Sequence, residues 1–324
     1  MKTLKSLNIK LILIVILIIL SLLSISIGIE NFNLINLFKG ESQELHIFLN
    51  SRLPRLLSII IAGVSLSVAG LIMQTISANK FVSPSTAGTM DFAKLGLLFA
   101  FFFAANNSTL VKISLAFIVS LIGTLIFMVI LRKTKFKNSA VVPLLGIMLG
   151  NVVSSISTFI AYRYDLVQNM TSWLMGSFSL ITKGNYELLY LGIPFIIIAY
   201  FYASKFTIAS MGEDFSTSLG LNHKLIVSIG LIIVSIITAL VVVTIGTIPF
   251  VGLIVPNIVS LYRGDNIKRT LFETALFGSI LVLFADIISR VIIFPYEVSI
   301  SVVMSVIGSI IFLIIIFRRK TRIS

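Results

Sequence analysis

The chain has 324 residues, of which 57% are hydrophobic and only 11% charged, with a mean hydropathy of +1.10. That composition excludes a soluble globular domain and defines a polytopic membrane protein. The formal charge of +13 does not indicate nucleic acid, because Lys and Arg fall in short clusters between apolar runs rather than on one solvated face.

Apolar runs of about 20 residues, the length needed to cross a bilayer core, and their breakers predict about ten spans: residues 11–29, 56–76, 86–104, 111–131, 140–161, 187–204, 225–245, 250–261, 271–290 and 298–317. Residues 1–324 therefore read as one all-α transmembrane domain with no folded soluble insert. The first run reads as a retained helix, since it is longer than a signal-peptide core and no small-x-small cleavage site follows it. The third and eighth runs are weak: Pro84, Gly88 and Gly96 interrupt one, and Pro249, Gly252 and Pro256 the other.

With an even count and the N-terminus inside, seventeen of the 25 Lys and Arg residues fall in cytoplasmic segments and seven outside, while Lys94 lies undecided within a span. Lys39, Arg52, Arg55, Lys112, Arg163, Lys183 and Arg290 form the outer group. Positive residues concentrate on the cytoplasmic side of membrane proteins, so both termini are expected to be cytoplasmic. The outer arginines then need an explanation.

The first exception is "SRLPRLL", residues 51–57. Pro54 suits the first turn of a helix, and the flanking arginines either snorkel to headgroups or, at i and i+3 on one face, offer a bidentate cationic dock for carboxylates of a partner protein. In "FADIISR", Asp286 and Arg290 stand at i and i+4. They form an intrahelical pair that lowers the cost of a membrane charge, or Arg290 joins Arg52 and Arg55 in an outward basic patch.

Between spans six and seven, "ASMGEDFSTSLGLNHKL" is a cytoplasmic stretch of mixed charge. It reads as a solvated loop or as a short helix, 212–219, ended by Gly220. In the second case Gly212, Glu213, Asp214, Ser218, Leu219, Gly220 and Leu221 would form a coupling helix for a cytoplasmic motor subunit, with Leu219 and Leu221 as apolar anchors. His223 reads as a surface residue.

The two interrupted spans carry Pro84 and Gly88, and Pro249, Gly252 and Pro256. Broken helices at membrane depth must have their freed backbone groups satisfied inside protein or along a water-filled path; close packing through small residues is the competing reading.

Several chemistries are excluded. The chain has no cysteine and two histidines, which leaves no thiolate site, disulfide or histidine cluster. It lacks a G-x-x-x-x-G-K-[ST] phosphate loop, so any ATP is hydrolysed by another chain. Intramembrane acids are scarce, Asp286 and Asp91 being the candidates, which weakens the alternative of an ion-coupled secondary carrier or exporter.

The segments "RLPRLLSIIIAGVSLSVAGLIMQT", "GEDFSTSLGLN", "GTIPFVGLIVPNIVSLYRGDNIKRTL" and "FADIISR" together resemble the FecCD-like permeases of type II ABC importers, which take up iron chelates and cobalamin. The resemblance runs from about Ser51 to Arg318. It implies a ten-helix permease without enzymatic activity or bound cofactor, paired with a second permease subunit as a homodimer or heterodimer. Two cytoplasmic ATPase subunits carrying ATP and Mg, and an extracytoplasmic siderophore-binding protein, would complete the complex in a bacterial cytoplasmic membrane. It also implies that Arg52, Arg55 and Arg290 meet glutamates of the binding protein and that residues 212–221 seat on the ATPase. Two departures stand out. Many members have Asn-Pro-Leu-Ala-Asp/Glu-Pro-Gly where this chain has "NKFVSPST", and many have His at Asn257. The run "NKFVSPSTAGTMDFAKLG" looks like the branch that handles catecholate and related siderophores.

Overall fold

The structure is a computed structural model that describes residues 2–28, 42–85, 88–103, 109–133, 141–179, 181–184 and 186–320. Lys39, Lys135, Lys137 and Arg322 of the charge count lie outside these residues. Ten helices coincide with the ten predicted runs: α1 Lys2–Ser26, α2 Leu53–Ile76, α3 Thr89–Phe103, α4 Thr109–Lys133, α5 Val141–Arg163, α6 Gly192–Ala209, α7 His223–Thr244, α8 Val251–Arg263, α9 Ile267–Val291 and α10 Ile300–Lys320. Among the described residues no strand forms, only isolated bridges at Met175–Thr247 and Ile293–Tyr296.

By length and apolar composition, seven stretches among the described residues can cross a membrane: Ile9–Ser26, Glu44–Ile76, Leu144–Arg163, Glu187–Ala209, His223–Thr244, Ile267–Val291 and Ile300–Phe317. The third and eighth predicted spans are short, α3 with 15 residues and α8 with 13. At 1.5 Å rise per residue each falls short of the roughly 30 Å hydrocarbon thickness. The breakers named from sequence are the reason, since Gly88 just precedes α3 and Pro249 just precedes α8.

Helix α2 is the centre of the bundle and packs against α9, α7, α8 and α6. Small residues let these backbones approach, as membrane packing requires where lipid is no less apolar than the helix faces. A Cβ on Gly63 would lie 2.7 Å from the Gly278 carbonyl oxygen, and one on Gly70 would strike the Gly252 carbonyl outright. Around these contacts Ile59, Ala62, Val251, Val255, Val282 and Ala285 close one core region. Val68, Ile72, Phe206, Val234 and Ile237 close a second. Helices α3 and α4 pack closely on each other, and α3 also contacts α5.

Candidate functional site: an arginine–carboxylate cluster and an exposed short helix

The arginine–carboxylate cluster is assembled from three places in the sequence. Arg55 projects from the first turn of α2, Asp286 and Arg290 from the last turns of α9, and Glu297 from the segment between α9 and α10. Arg55 grips Glu297 with two parallel bonds, Nη1–Oε1 2.8 Å and Nη2–Oε2 2.9 Å, the bidentate geometry in which a guanidinium is strongest. Its Nη2 also donates to Asp286 Oδ1 at 2.9 Å. The other oxygen of Asp286 pairs with Arg290 Nη2 at 2.6 Å, so one carboxylate bridges two arginines.

Arg290 in turn fixes the end of α1. Its Nη1 donates to the carbonyls of Ser24 (2.8 Å) and Ile27 (2.7 Å), and its Nη2 to Ser24 Oγ (2.6 Å). Arg52 Nη1 donates to the same Ile27 carbonyl. Those carbonyls belong to the last turn of α1 and just beyond it, where helical acceptors have no intrahelical donor and a cation is favoured.

The structure therefore brings the three predicted arginines together, and the Asp286–Arg290 pair and the gathering of Arg290 with Arg52 and Arg55 hold at once. It differs from the expectation of an open cationic surface in one respect. Arg52 is 9% exposed, Arg290 3% and Asp286 1%, while the side chains of Arg55 and Glu297 keep 12% and 19%. The outward-reaching part of the cluster is the Arg55–Glu297 pair. Sequence reading missed Glu297; its signal was an acid in the short segment that follows the outer end of α9.

On the opposite side, Glu213–Ser218 forms the predicted short helix. Gly212 enters it at φ 108°, and Gly220 leaves it at φ +78°. Leu221 N–H donates to the Ser216 carbonyl (3.0 Å) and Gly220 N–H to that of Thr217 (2.9 Å), a Schellman closure that glycine permits. Buried Ser216 contacts His223 Nδ1 at 3.1 Å, which ties the helix to the start of α7. One strip of the exposed surface is apolar: Met211, Phe215 and Leu219, at i, i+4 and i+8, are 60%, 43% and 56% exposed, beside exposed Glu213, Asp214, Thr217 and Ser218. Leu219 was expected there; Phe215 and Met211 were not, and Leu221 is only half-exposed.

The two breaks approach each other at Pro84 and Gly252, where a Cβ on Gly252 would lie 3.3 Å from Pro84 Cδ. Pro84, Gly88, Gly252 and Pro256 are buried and Pro249 is half-buried. Pro256 has no N–H for the Gly252 carbonyl one turn back. Gln74 Nε2 donates to that carbonyl at 3.3 Å and to Leu253 O at 3.0 Å, and Asn257 Nδ2 joins Leu253 O to Lys80 O, both at 2.7 Å. The carbonyl that Pro256 frees is thus satisfied by protein, which both the broken-helix and the close-packing readings allow. The remaining buried acid of this region, Glu273, is held by Arg263. Among the described residues no group of His, Cys, Asp and Glu could hold a metal ion.

A bundle of apolar helices around a closely packed central helix, with broken helices in its interior, has the architecture of a polytopic membrane transport protein. The chain belongs to the FecCD transport family, whose model matches residues 12–318.

Its relatives include the petrobactin import system permease protein YclN of Bacillus subtilis, 58% identical over 92% of this chain and 94% of that one. The ferric-anguibactin transport system permease protein FatD of Vibrio anguillarum is 41% identical over 83% of this chain and 85% of the relative. The petrobactin import system permease protein FatD of Bacillus anthracis is 38% identical over 87% and 84%. Among solved structures, a chain described as a metal-chelate type ABC transporter in an inward-facing conformation superposes with a TM-score of 0.83 at 22% identity, covering 96% of this chain and 99% of that one. At that identity the superposition establishes the fold.

Proposed function

We propose that this chain, acting as one transmembrane domain over residues 1–324, is the permease subunit of an ATP-driven importer of ferric siderophores of the petrobactin class. The observation that carries the reading is the 58% identity to a petrobactin import permease over nearly the whole of both chains. A second petrobactin permease at 38% supports it.

In this reading two permease chains, identical or related, enclose the path in the bacterial cytoplasmic membrane with both termini inside. ATP and Mg reside on two cytoplasmic ATPase subunits. The Met211–Phe215–Leu219 face of the short helix seats in a groove of the ATPase and transmits its motion. Burial of such aromatic and aliphatic anchors dominates the energetics of protein interfaces.

An external siderophore-binding protein docks over Arg52, Arg55 and Arg290. Arg55 and Glu297 keep the most exposure in the cluster, and a carboxylate of the binding protein exchanges with Glu297 at Arg55. Pro84, Gly88, Pro249, Gly252 and Pro256 serve alternating access as close-packed pivots between α2, α3 and α8. A secondary carrier would need free intramembrane acids, whereas Asp286 and Glu273 are both committed to arginines and Asp91 lies one helical turn from Lys94.

The test is uptake of radioactive iron by a strain lacking this chain, offered a panel of ferric chelates with and without the restored gene. Transport of petrobactin-class chelates should depend on the gene and stop when ATP is depleted. Uptake that survives ATP depletion but stops with the proton gradient would overturn the reading.

A further inference from the structure

Lys94 is the cation that the topology count could not place, and the structure sets it half-buried between α3 and α5. Its Nζ donates to Ser154 Oγ at 3.1 Å and to Thr158 Oγ1 at 3.2 Å, both on α5. An ammonium has three donors, so two are engaged by hydroxyls and one remains. On α5 these hydroxyls stand five and nine residues before Arg163 at the helix end, roughly 8–14 Å along the axis. Lys94 is therefore inside the outer half of the span rather than at its edge.

The surroundings are polar along a full stripe. Asn151, Ser155 and Thr158, at i, i+4 and i+7, are exposed on α5, and Ser154 is half-buried beside them. The pattern is the helical spacing of a single face. One turn before Lys94, half-buried Asp91 rests against Gly150, where a Cβ would collide with its Oδ2. Below that, a Cβ on Gly88 would lie 3.2 Å from the Gly146 carbonyl. Glycines at both contacts hold α3 and α5 together and set the charged pair beside the stripe. A membrane face carrying an ammonium and exposed hydroxyls and amide is costly against lipid, and such faces line a water-filled cavity or path.

We infer that Lys94, with Asn151, Ser154, Ser155 and Thr158, forms an anion-attracting step on the route of the ferric chelate through the membrane. This inference rests on the importer reading and adds the charge of the cargo. Ferric iron held by catecholate and carboxylate oxygens carries net negative charge, because those donors together bring more negative charge than the ion neutralises. A cation tempered by hydroxyls and by Asp91 one turn away attracts such an anion without trapping it, as a conducting path requires.

The absence of cysteine allows a direct test. Asn151→Cys and Ser155→Cys, made separately in the full importer in membrane vesicles, are treated with an anionic and a cationic methanethiosulfonate reagent. Both positions should label, faster with the anionic reagent, and adding Lys94→Met should remove that preference by about tenfold or more, in the range that local charge imposes on encounter rates. This readout needs no transport, so it stands apart from the importer reading. Failure of both cysteines to label, as expected of a face covered by lipid or by the second permease, would overturn the inference. So would an anionic preference that persists in Lys94→Met.

In transport, Lys94→Met should lower the initial rate for an anionic ferric chelate by about tenfold, with the ATPase activity stimulated by the binding protein retained and Lys94→Arg restoring most of the rate. Wild-type uptake by Lys94→Met would overturn the inference even where the intact importer transports normally. No uptake by the intact importer would instead overturn the importer reading.

Discussion

Arg55 and Glu297, 242 positions apart in sequence, meet in a two-pronged ion pair at 2.8 and 2.9 Å. The pair is the most exposed part of a cluster whose other members are nearly enclosed. Glu297 therefore occupies the guanidinium fork that a carboxylate docking at Arg55, as proposed above, would have to take over.

That arrangement changes which substitution informs on docking. Reversing Arg55 to Glu would set a third carboxylate beside Asp286 and Glu297, so lost uptake would report a broken cluster as readily as a lost dock. Glu297→Gln keeps the shape and removes the competing charge. We expect the external binding protein to bind Glu297→Gln vesicles several-fold more tightly, about 1 kcal/mol, with a steeper loss on adding salt. Titration of labelled binding protein against vesicles measures this, and unchanged affinity would mean that Arg55 is not a docking residue.

Asp286 should behave differently, as the structural keystone. It is 1% exposed and bridges Arg55 and Arg290, and Arg290 in turn holds the end of α1. Asp286→Asn leaves two guanidinium groups without their shared counter-charge, and breaking buried pairs of this kind costs about 3–5 kcal/mol. A marked fall in the detergent melting temperature is expected, with α1 becoming accessible to protease. Asp286→Glu should recover part of the loss.

Much of this was legible in the sequence because membrane helices declare themselves by length and hydropathy, and breakers mark their ends. The ten runs, the weakness of α3 and α8, and the helix ended by Gly220 follow from local rules. Charge bias singled out Arg52, Arg55 and Arg290. It could not show that they are occupied, because Glu297 and the Ser24 and Ile27 carbonyls lie on other segments. Likewise Leu219 was readable as an anchor, whereas Phe215 and Met211 needed the direction of a six-residue helix to be known.

The exposed face of that helix gives a prediction about assembly. Phe215 and Leu219 are exposed and make no contribution to the closure by Gly220, so Phe215→Asp and Leu219→Asp should fold and insert normally. Each should weaken binding to the ATPase subunits by about 2 kcal/mol or more, roughly thirtyfold. Copurification of the tagged permease with its ATPases would measure the loss. Retained complexes in the double variant would assign the face to lipid or to another contact.

Gln74 tests the pivot between α2 and α8. Its Nε2 bonds the Gly252 and Leu253 carbonyls, and the first of these is left without an intrahelical donor because Pro256 lacks an N–H. Gln74 is itself 3% exposed, so water cannot readily replace it. Gln74→Leu, similar in size, should cost about 1–3 kcal/mol by leaving the buried Gly252 carbonyl unpaired. Pro256→Ala should recover part of that in the double variant, since an alanine N–H at 256 can satisfy the Gly252 carbonyl from within α8. A double-mutant cycle on thermal stability in detergent reads the coupling directly. Additive effects at the two positions would show that Gln74 does not serve the proline break.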